Sequence, residues 1–201
     1  MRFRPAIIIP AAGSGSRFGG PLHKLAQPFD DDTVLGMTVR HAIESQLPVV
    51  VVTTAALAPL LAPLLATRDV VVLSDAEAAR GMGATIAAGV AERSGAPGWL
   101  VLPGDMPLVR PDTLLAVATA LEQHPVAYAQ HKGRRGHPVA FAAELYSELI
   151  QLRGDDGARR VMLRYPAHGQ EVPDAGVLQD VDTALDLERL RKMAQPVAPG
   201  G

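Results

Sequence analysis

The fold of this chain is decided by the segment Ile7-Ile-Ile-Pro-Ala-Ala-Gly-Ser-Gly-Ser-Arg-Phe-Gly-Gly20. It starts as an apolar run typical of a buried strand and becomes a loop in which four of eight consecutive residues are glycine. Glycine lets successive backbone amides approach an anion, and Arg17 and Lys24 add positive charge. Ligands of parallel α/β sheets bind beyond the carboxyl ends of the strands. We therefore predict that this loop holds the phosphates of a nucleoside triphosphate.

Two better-known glycine loops do not fit this segment. A Walker loop needs a glycine directly before its lysine and Ser or Thr after it, but Lys24 follows His23 and precedes Leu25. The dinucleotide fingerprint aligns on Gly13 and Gly15, but Phe18 occupies the position of the third glycine. A flexible surface loop is the remaining alternative, and the cations Arg17 within the glycine run and Lys24 just beyond it argue against it.

Apolar runs alternate with helical patterns through the first part of the chain. Four runs predict strands that are buried on both faces: Ile7–Ile9, Val49–Thr53, Val70–Leu73 and Trp99–Pro103. Four segments predict helices: Leu35–Gln46, Ala55–Ala66, Thr85–Arg93 and Pro111–Gln123. Pro59 and Pro63 weaken the second of these helices. The alternation predicts a three-layer α/β/α, Rossmann-like domain with a mainly parallel sheet.

The rest of the chain is less regular. Two predicted strands flank a polar turn: Val126–Gln130 and Pro138–Phe141. The helical patterns are Leu145–Leu152, Ala158–Tyr165 and Thr183–Met193, and the segment Gly176–Val181 reads as extended. We expect residues 1–193 to form a single domain and residues 194–201 to be a disordered tail.

Composition and charge exclude several classes of function. The chain of 201 residues has no cysteine, which excludes a disulfide scaffold, a thiol nucleophile and a cysteine–zinc site. Its net charge of −2 gives no indication of a nucleic-acid or membrane surface. No stretch approaches the length of about 18 apolar residues that a membrane span requires. We expect a soluble cytoplasmic protein without nucleic-acid or membrane partners.

Acidic residues stand at two places where chemistry is expected. Asp105 follows a predicted strand in Leu102-Pro-Gly-Asp-Met-Pro107 and is well placed to hold Mg²⁺ against triphosphate oxygens. Alternatively, it braces the turn between Gly104 and Pro107. Asp182 or Thr183 is a natural N-cap of the last predicted helix. We expect Asp180 to point to the other face of this extended segment.

The stretch from Ile9 to Gly19, together with Lys24, resembles the signature of nucleotidyltransferases of the glycosyltransferase-A-like fold. Enzymes of that superfamily transfer a nucleoside monophosphate onto a phosphorylated acceptor. The segment Gly81-Met-Gly-Ala-Thr-Ile-Ala-Ala-Gly89 is similar to the nucleobase-facing segment of the molybdenum-cofactor branch. The resemblance implies a set of nucleotide-binding residues: Ala11, Ala12, Gly13, Ser14, Gly15, Arg17, Lys24, Gly81, Met82, Gly83, Thr85 and Gly104.

Two more segments resemble molybdenum cofactor cytidylyltransferases and their MobA/MocA-like relatives: Gly133-Arg-Arg-Gly-His-Pro-Val-Ala-Phe141 and Gly154-Asp-Asp-Gly-Ala-Arg159. They lie on the acceptor side in that branch, which implies acceptor contacts by Arg134, Arg135, His137 and Arg159. A solvated hairpin with ordinary surface charges is the alternative. The stretch Gln179-Asp-Val-Asp-Thr183 resembles an element that supplies a second acidic ligand, which implies a metal site of Asp105 and Asp182. The implied catalytic residues are Arg17, Lys24 and Asp105.

The resemblance implies a Mg²⁺-dependent transfer of CMP from CTP onto molybdopterin, with release of pyrophosphate and with a molybdoenzyme as a partner. One alternative is transfer from CTP or GTP to a sugar or alditol phosphate. Another is a nucleotide-binding chaperone of molybdoenzyme maturation without turnover. Pro10 and the turn Asp105-Met-Pro107 differ from the molybdenum branch, so the nucleobase and the acceptor stay open.

Overall fold

The structure is a computed structural model, and it describes residues 3–16, 18–19 and 21–194. Its strands are β1 (Ala6–Ala11), β2 (Pro28–Phe29), β3 (Asp32–Thr33), β4 (Val49–Thr54), β5 (Val70–Leu73), β6 (Gly98–Val101), β7 (Val126–His131), β8 (Arg134–Ala142) and β9 (Ala167–Glu171). Its α-helices are α1 (Val34–Glu44), α2 (Asp75–Ala78), α3 (Met82–Glu92), α4 (Pro111–Ala120), α5 (Tyr146–Leu149), α6 (Arg159–Arg164) and α7 (Ala184–Ala194). Short 3-10 helices cover Lys24–Ala26, Ala58–Leu60, Thr67–Asp69, Ala143–Leu145 and Ala175–Leu178.

Seven strands form one sheet in the order β5-β4-β1-β6-β8-β7-β9, while β2 pairs with β3 separately. The strands β5, β4, β1 and β6 run parallel to one another. Strand β8 is antiparallel to both of its neighbours, β6 and β7, and β9 pairs in parallel with β7. The sheet therefore has a parallel half, β5-β4-β1-β6, and a mixed half, β8-β7-β9.

The core consists of one apolar layer on each face of this sheet. Every residue of the central strand β1 is buried, and successive side chains point to opposite faces. Ile7 and Ile9 pack with α1 and α4 on one face, whereas Ile8 packs with α3 and α5 on the other. Helices thus cover both faces of a mostly parallel sheet, which confirms the predicted three-layer α/β/α fold.

Two local predictions differ from the structure, and one strand was not predicted. Residues 55–66, all of which the structure describes, form turns and one short 3-10 helix, so the predicted helix there is wrong. The reason is that Pro59 and Pro63 lack an amide hydrogen and obstruct an α-helix. The sequence patterns do not predict β9, because it contains no apolar run and three of its five residues are exposed. The predicted extended segment 176–181 starts instead within the 3-10 helix Ala175–Leu178.

The ends of the chain bear on two further predictions. Ala194 is the last residue of α7 rather than the first residue of a tail. Residues 195–201, for which we predicted disorder, lie outside the described residues. In the part of the chain that the structure describes, no helix combines the length and the apolar character that crossing a membrane requires.

Candidate active site

A cleft of about 1030 Å³ lies beyond the carboxyl ends of β1, β4 and β6. Open α/β sheets bind their ligands at this edge. Most of the predicted nucleotide-binding residues line the cleft: Ala11, Ala12, Gly13, Ser14, Gly15, Lys24, Gly81, Met82, Thr85 and Gly104. Asp105 and Asp182 line it too. Gly83 instead packs against the backbone of Arg153, and Arg17 lies outside the described residues.

The glycine loop takes a conformation that favours glycine at two positions, Gly15 and Gly19, where φ is positive. Gly15 has a φ of +63°, a region that residues with a side chain rarely adopt. The carbonyl of Gly15 then accepts a hydrogen bond of 3.0 Å from the amide of Phe18, which closes a turn. Gly13 and Ser14, just before this turn, are exposed toward the cleft. The loop can therefore present backbone amides to an anion.

Gly104 connects the turn that carries Asp105 to the end of β1, just before the glycine loop. Its amide donates a hydrogen bond of 3.2 Å to the carbonyl of Pro10, and its carbonyl accepts one of 3.1 Å from Thr38 Oγ1. A Cβ at Gly104 would lie 3.2 Å from the Cβ of Ala11, so even an alanine would crowd this junction. The close approach of the two segments is what brings Asp105 next to the loop.

Lys24, which follows the glycine loop in the chain, contacts two of the acidic residues. Its Nζ donates a hydrogen bond of 2.6 Å to Asp105 Oδ2 and one of 3.1 Å to Asp182 Oδ1. Burial opposes the charged form of Lys24, but the charge of Asp105 and hydrogen bonds to both carboxylates outweigh it, and together they raise the pKa of Lys24. The structure thus brings together three residues that the sequence separates by up to 158 positions.

Three carboxylates form an acidic cluster beside Lys24. Asp105, Asp180 and Asp182 each offer an oxygen within 4.8 Å of the others. Asp105 Oδ1 is buried and has no hydrogen-bond partner among the described residues. Burial, followed by the charge of Asp105, raises the pKa of Asp180. A hard divalent cation would reduce the repulsion among the three carboxylates and would give Asp105 Oδ1 a partner.

The expectation for Asp180 was wrong, because residues two apart in an extended segment share a face. Val181 between the two aspartates is buried, and its amide donates a hydrogen bond of 3.0 Å to the carbonyl of Asp105. This bond holds Asp180 and Asp182 beside Asp105.

The structure also decides which residue is the N-cap of α7. It is Thr183, because its Oγ1 accepts a hydrogen bond of 3.2 Å from the amide of Asp186.

The start of α3 forms another wall of the cleft. Gly81 has a φ of +91°, and Thr85 Oγ1 donates a hydrogen bond of 3.3 Å to its carbonyl. Gly154 packs against this start, because its carbonyl accepts a hydrogen bond of 2.8 Å from the amide of Gly83. Asp155 consequently lines the cleft. The segment that the resemblance assigns to the acceptor side thus also borders the predicted nucleobase side.

The predicted acceptor-binding residues are spread more widely. His137 lies close enough to the acidic cluster for charge coupling: burial lowers its pKa, and the charges of Asp105 and Asp180 act in the opposite direction. Arg134, Arg135 and Arg159 are exposed, outside the part of the cleft that the described residues form. The guanidinium of Arg135 lies 4.8 Å from the centroid of the Tyr128 ring.

Sequence reasoning missed three polar residues of this site: His23, Asp155 and Asp180. Asp180 could have been found from the two-residue period of an extended segment. Asp155 lies within the segment Gly154–Arg159 and His23 directly precedes Lys24, but the fold places both beside residues of other segments. No pattern within the motif indicates such contacts.

Comparison with known proteins places the chain among nucleotidyltransferases. Residues 7–171 match the model of the MobA-like NTP transferase domain. The purine catabolism protein PucB of Bacillus subtilis (strain 168) is 32% identical over 92% of this chain and 95% of its own length. The molybdenum cofactor cytidylyltransferase of Escherichia coli (strain K12) is 24% identical over 90% of this chain and 92% of its own length.

Solved structures agree with these matches. The crystal structure of Rv0371c from Mycobacterium tuberculosis H37Rv superposes with a TM-score of 0.80 and 28% identity, covering 94% of this chain and 98% of that one. The same protein is also known in complex with manganese. Manganese in a similar structure agrees with the acidic cluster described above.

Proposed function

This chain belongs to the MobA-like NTP transferase family, and we propose that it transfers CMP from CTP onto a phosphorylated acceptor, the molybdopterin cofactor. Nucleotidyl transfer is the chemistry of the family, whereas the nucleotide and the acceptor are our proposal. The observation that carries it is the contact of Lys24 with both Asp105 and Asp182 at the base of the glycine loop. A triphosphate and its metal need positive and negative groups side by side in this way.

The proposed reaction is an in-line attack of an acceptor phosphate oxygen on the α-phosphorus of the nucleotide. A new phosphorus–oxygen bond forms to the acceptor, and the bond to the β-phosphate oxygen breaks. Pyrophosphate leaves with the electron pair of the broken bond. An acceptor phosphate is already ionised at neutral pH, so no side chain has to act as a general base. Catalysis then comes from alignment and from neutralisation of charge.

Each element of the cleft has a role in this reaction. The amides around Gly13 and Gly15 hold phosphate oxygens of the nucleotide. Lys24 keeps its charge at neutral pH, because its pKa is raised, and exchanges its carboxylate partners for phosphate oxygens when the nucleotide binds. Arg17 adds a second cation to the departing pyrophosphate. The start of α3 at Gly81 faces the nucleobase.

The acidic cluster fits a hard divalent cation such as Mg²⁺, because it contains three carboxylates. One of their oxygens, the buried Oδ1 of Asp105, has no hydrogen-bond partner among the described residues. Mg²⁺ bound there would neutralise charge on the triphosphate oxygens. Asp105 and Asp182 would hold it, with Asp180 as a third carboxylate of the same cluster. Lys24 has to withdraw from the carboxylates to admit the cation, since its Nζ lies 2.6 Å from Asp105 Oδ2.

The mixed half of the sheet supplies the acceptor side of the proposal. His137 borders the acidic cluster, while Arg134 and Arg135 present positive charge at the start of β8. An anionic acceptor would be attracted to this charge. We propose molybdopterin because one relative is a molybdenum cofactor cytidylyltransferase and because segments 133–141 and 154–159 resemble that branch. The product would pass to a molybdoenzyme.

A pyrophosphate-release assay tests this function with Mg²⁺, each of CTP, GTP, ATP and UTP, and either molybdopterin or a sugar phosphate as acceptor. We expect release with CTP and molybdopterin, near-complete loss in Asp105→Asn, and unchanged release in Asp31→Asn, whose carboxylate is exposed outside the cleft. Release only with another pair of substrates would overturn our choice of CTP and molybdopterin. Mg²⁺-independent nucleotide binding without release from any pair would favour a nucleotide-binding chaperone.

A further inference from the structure

His23 directly precedes Lys24. One of its ring nitrogens contacts the glycine loop, and the other contacts the backbone two residues further along the chain. Its Nε2 lies 2.9 Å from the carbonyl oxygen of Gly13. Its Nδ1 accepts a hydrogen bond of 3.1 Å from the amide of Leu25. The imidazole is half-buried and lines the cleft. It therefore bridges the two segments that are expected to hold phosphate.

These two contacts define which ring nitrogen carries the hydrogen. A backbone amide can only donate, so Nδ1 must be the acceptor toward Leu25. In the neutral ring the hydrogen then resides on Nε2, which donates it to the carbonyl of Gly13. The tautomer is thus set by the 3-10 helix that starts at Lys24, and the donor is aimed at the loop.

The loop is shaped to receive this ring. A Cβ at Gly15 would lie 2.9 Å from His23 Nε2, closer than van der Waals contact allows. The imidazole therefore lies in the space that the missing side chain of Gly15 leaves open. Gly15 serves two needs at once, since its φ of +63° also favours glycine.

We propose that His23 is a positioning residue that holds the glycine loop in its phosphate-binding form, an inference that rests on the proposed function. A free carbonyl of Gly13 could turn toward the cleft, where its negative end would repel a phosphate. By donating to this carbonyl, His23 keeps it engaged and leaves the loop amides to face the anion. The same ring defines the start of the helix that carries Lys24.

Two substitutions separate the two contacts of the ring. His23→Gln keeps a donor close to the position of Nε2 and loses the Nδ1 acceptor, whereas His23→Asn keeps an acceptor close to Nδ1 and loses the donor. We expect His23→Asn to raise the Kd for CTP about fivefold, the factor of one hydrogen bond. His23→Gln should bind CTP like the wild type. The kcat at saturating CTP and the melting temperature should change little in both.

The experiment is isothermal titration of the full chain with CTP and Mg²⁺, combined with steady-state kinetics. Equal CTP affinity in His23→Asn and wild type would overturn the inference. Weaker binding in His23→Gln alone would overturn it too, because CTP affinity would then depend only on the contact of Nδ1 with the start of the 3-10 helix. Failure of the wild type to bind any nucleoside triphosphate would instead overturn the proposed function. The tautomer can be tested without any nucleotide. Nitrogen-15 NMR of the imidazole should show the hydrogen on Nε2, and a hydrogen on Nδ1 would contradict the proposed hydrogen bond to Gly13.

A double-mutant cycle tests the fit between His23 and Gly15. Gly15→Ala should weaken CTP binding strongly, because its methyl group displaces the imidazole and its backbone is strained. In the His23→Ala background the same change should cost less, because the contact with the ring is gone. Strictly additive losses would show that the two residues act independently and would contradict the proposal.

Discussion

The parallel half and the mixed half of the sheet position their charged residues in different ways. Connections after β1 and β6 bring Lys24 and Asp105 to within 2.6 Å in a partly buried cleft. The β7–β8 hairpin instead presents Arg134 and Arg135 to solvent. Charges in a partly buried cleft act strongly at short range, whereas solvent and salt screen exposed charges. We therefore expect substitutions to have large effects in the parallel half and small effects in the mixed half.

The largest expected effect is that of Lys24→Ala. The substitution removes the cation that contacts Asp105 and Asp182, and turnover should fall about 10²- to 10³-fold if Lys24 stabilises the transition state as a single electrostatic donor. Pyrophosphate release under saturating CTP and acceptor measures this loss. Lys192→Ala, an exposed lysine of α7, is the matched control and should keep wild-type turnover. Near-wild-type turnover in Lys24→Ala would contradict the expectation that substitutions have larger effects in the parallel half of the sheet than in the mixed half.

The next effect concerns metal binding in the absence of nucleotide. Lys24→Met should increase the affinity for Mn²⁺ about tenfold, because the ammonium group that competes for Asp105 and Asp182 is gone; a tenfold change corresponds to about 1.4 kcal/mol. Electron paramagnetic resonance of free Mn²⁺ measures it, and Asp180→Asn should lower the affinity. Weaker Mn²⁺ binding in Lys24→Met than in the wild type would show that Lys24 supports the metal site instead of competing with the metal.

A smaller effect is expected in the mixed half. Arg134→Ala and Arg135→Ala should each raise the KM for the acceptor about two- to fivefold, because exposed charge pairs contribute only about 0.2–1 kcal/mol. The KM for CTP should stay constant, and the effect should shrink at high salt. Arg68→Ala, an exposed arginine beside the parallel half, is the control. A hundredfold loss in either hairpin variant would mean that the hairpin closes over the acceptor.

The smallest effect is a pH dependence of stability. The pKa of Lys24 is raised above its ordinary value of 10.5, so its ion pairs stabilise the folded state below that value. The contribution is lost as the pH rises through the folded-state pKa. The difference in free energy of unfolding between wild type and Lys24→Met should thus shrink from pH 9 to pH 12. A difference that stays constant over this range would contradict the raised pKa.

The strands of the parallel half could all be predicted from the sequence. Its strands are apolar on both faces, so short runs such as Val49–Thr53 stand out from the helical patterns around them. The mixed half was harder to predict, because β9 is a polar strand whose place depends on pairing with β7. The helix predicted at Ala55–Ala66 was wrong, since its prolines outweigh its alanines and leucines.

The sequence by itself determined the fold class and the glycine loop, because both depend on local patterns of apolar residues and glycines, while Lys24, Asp105 and Asp182 became candidates through charge patterns together with the family resemblance. Only the tertiary structure decided which of these residues meet. Lys24 and Asp182 are 158 positions apart, and the Val181 amide that holds Asp180 and Asp182 in the site bonds to the backbone of Asp105. Likewise, the hydrogen bond of His23 to Gly13 depends on how two segments pack. Such contacts are set by packing across segments, and a pattern read along the chain cannot contain them.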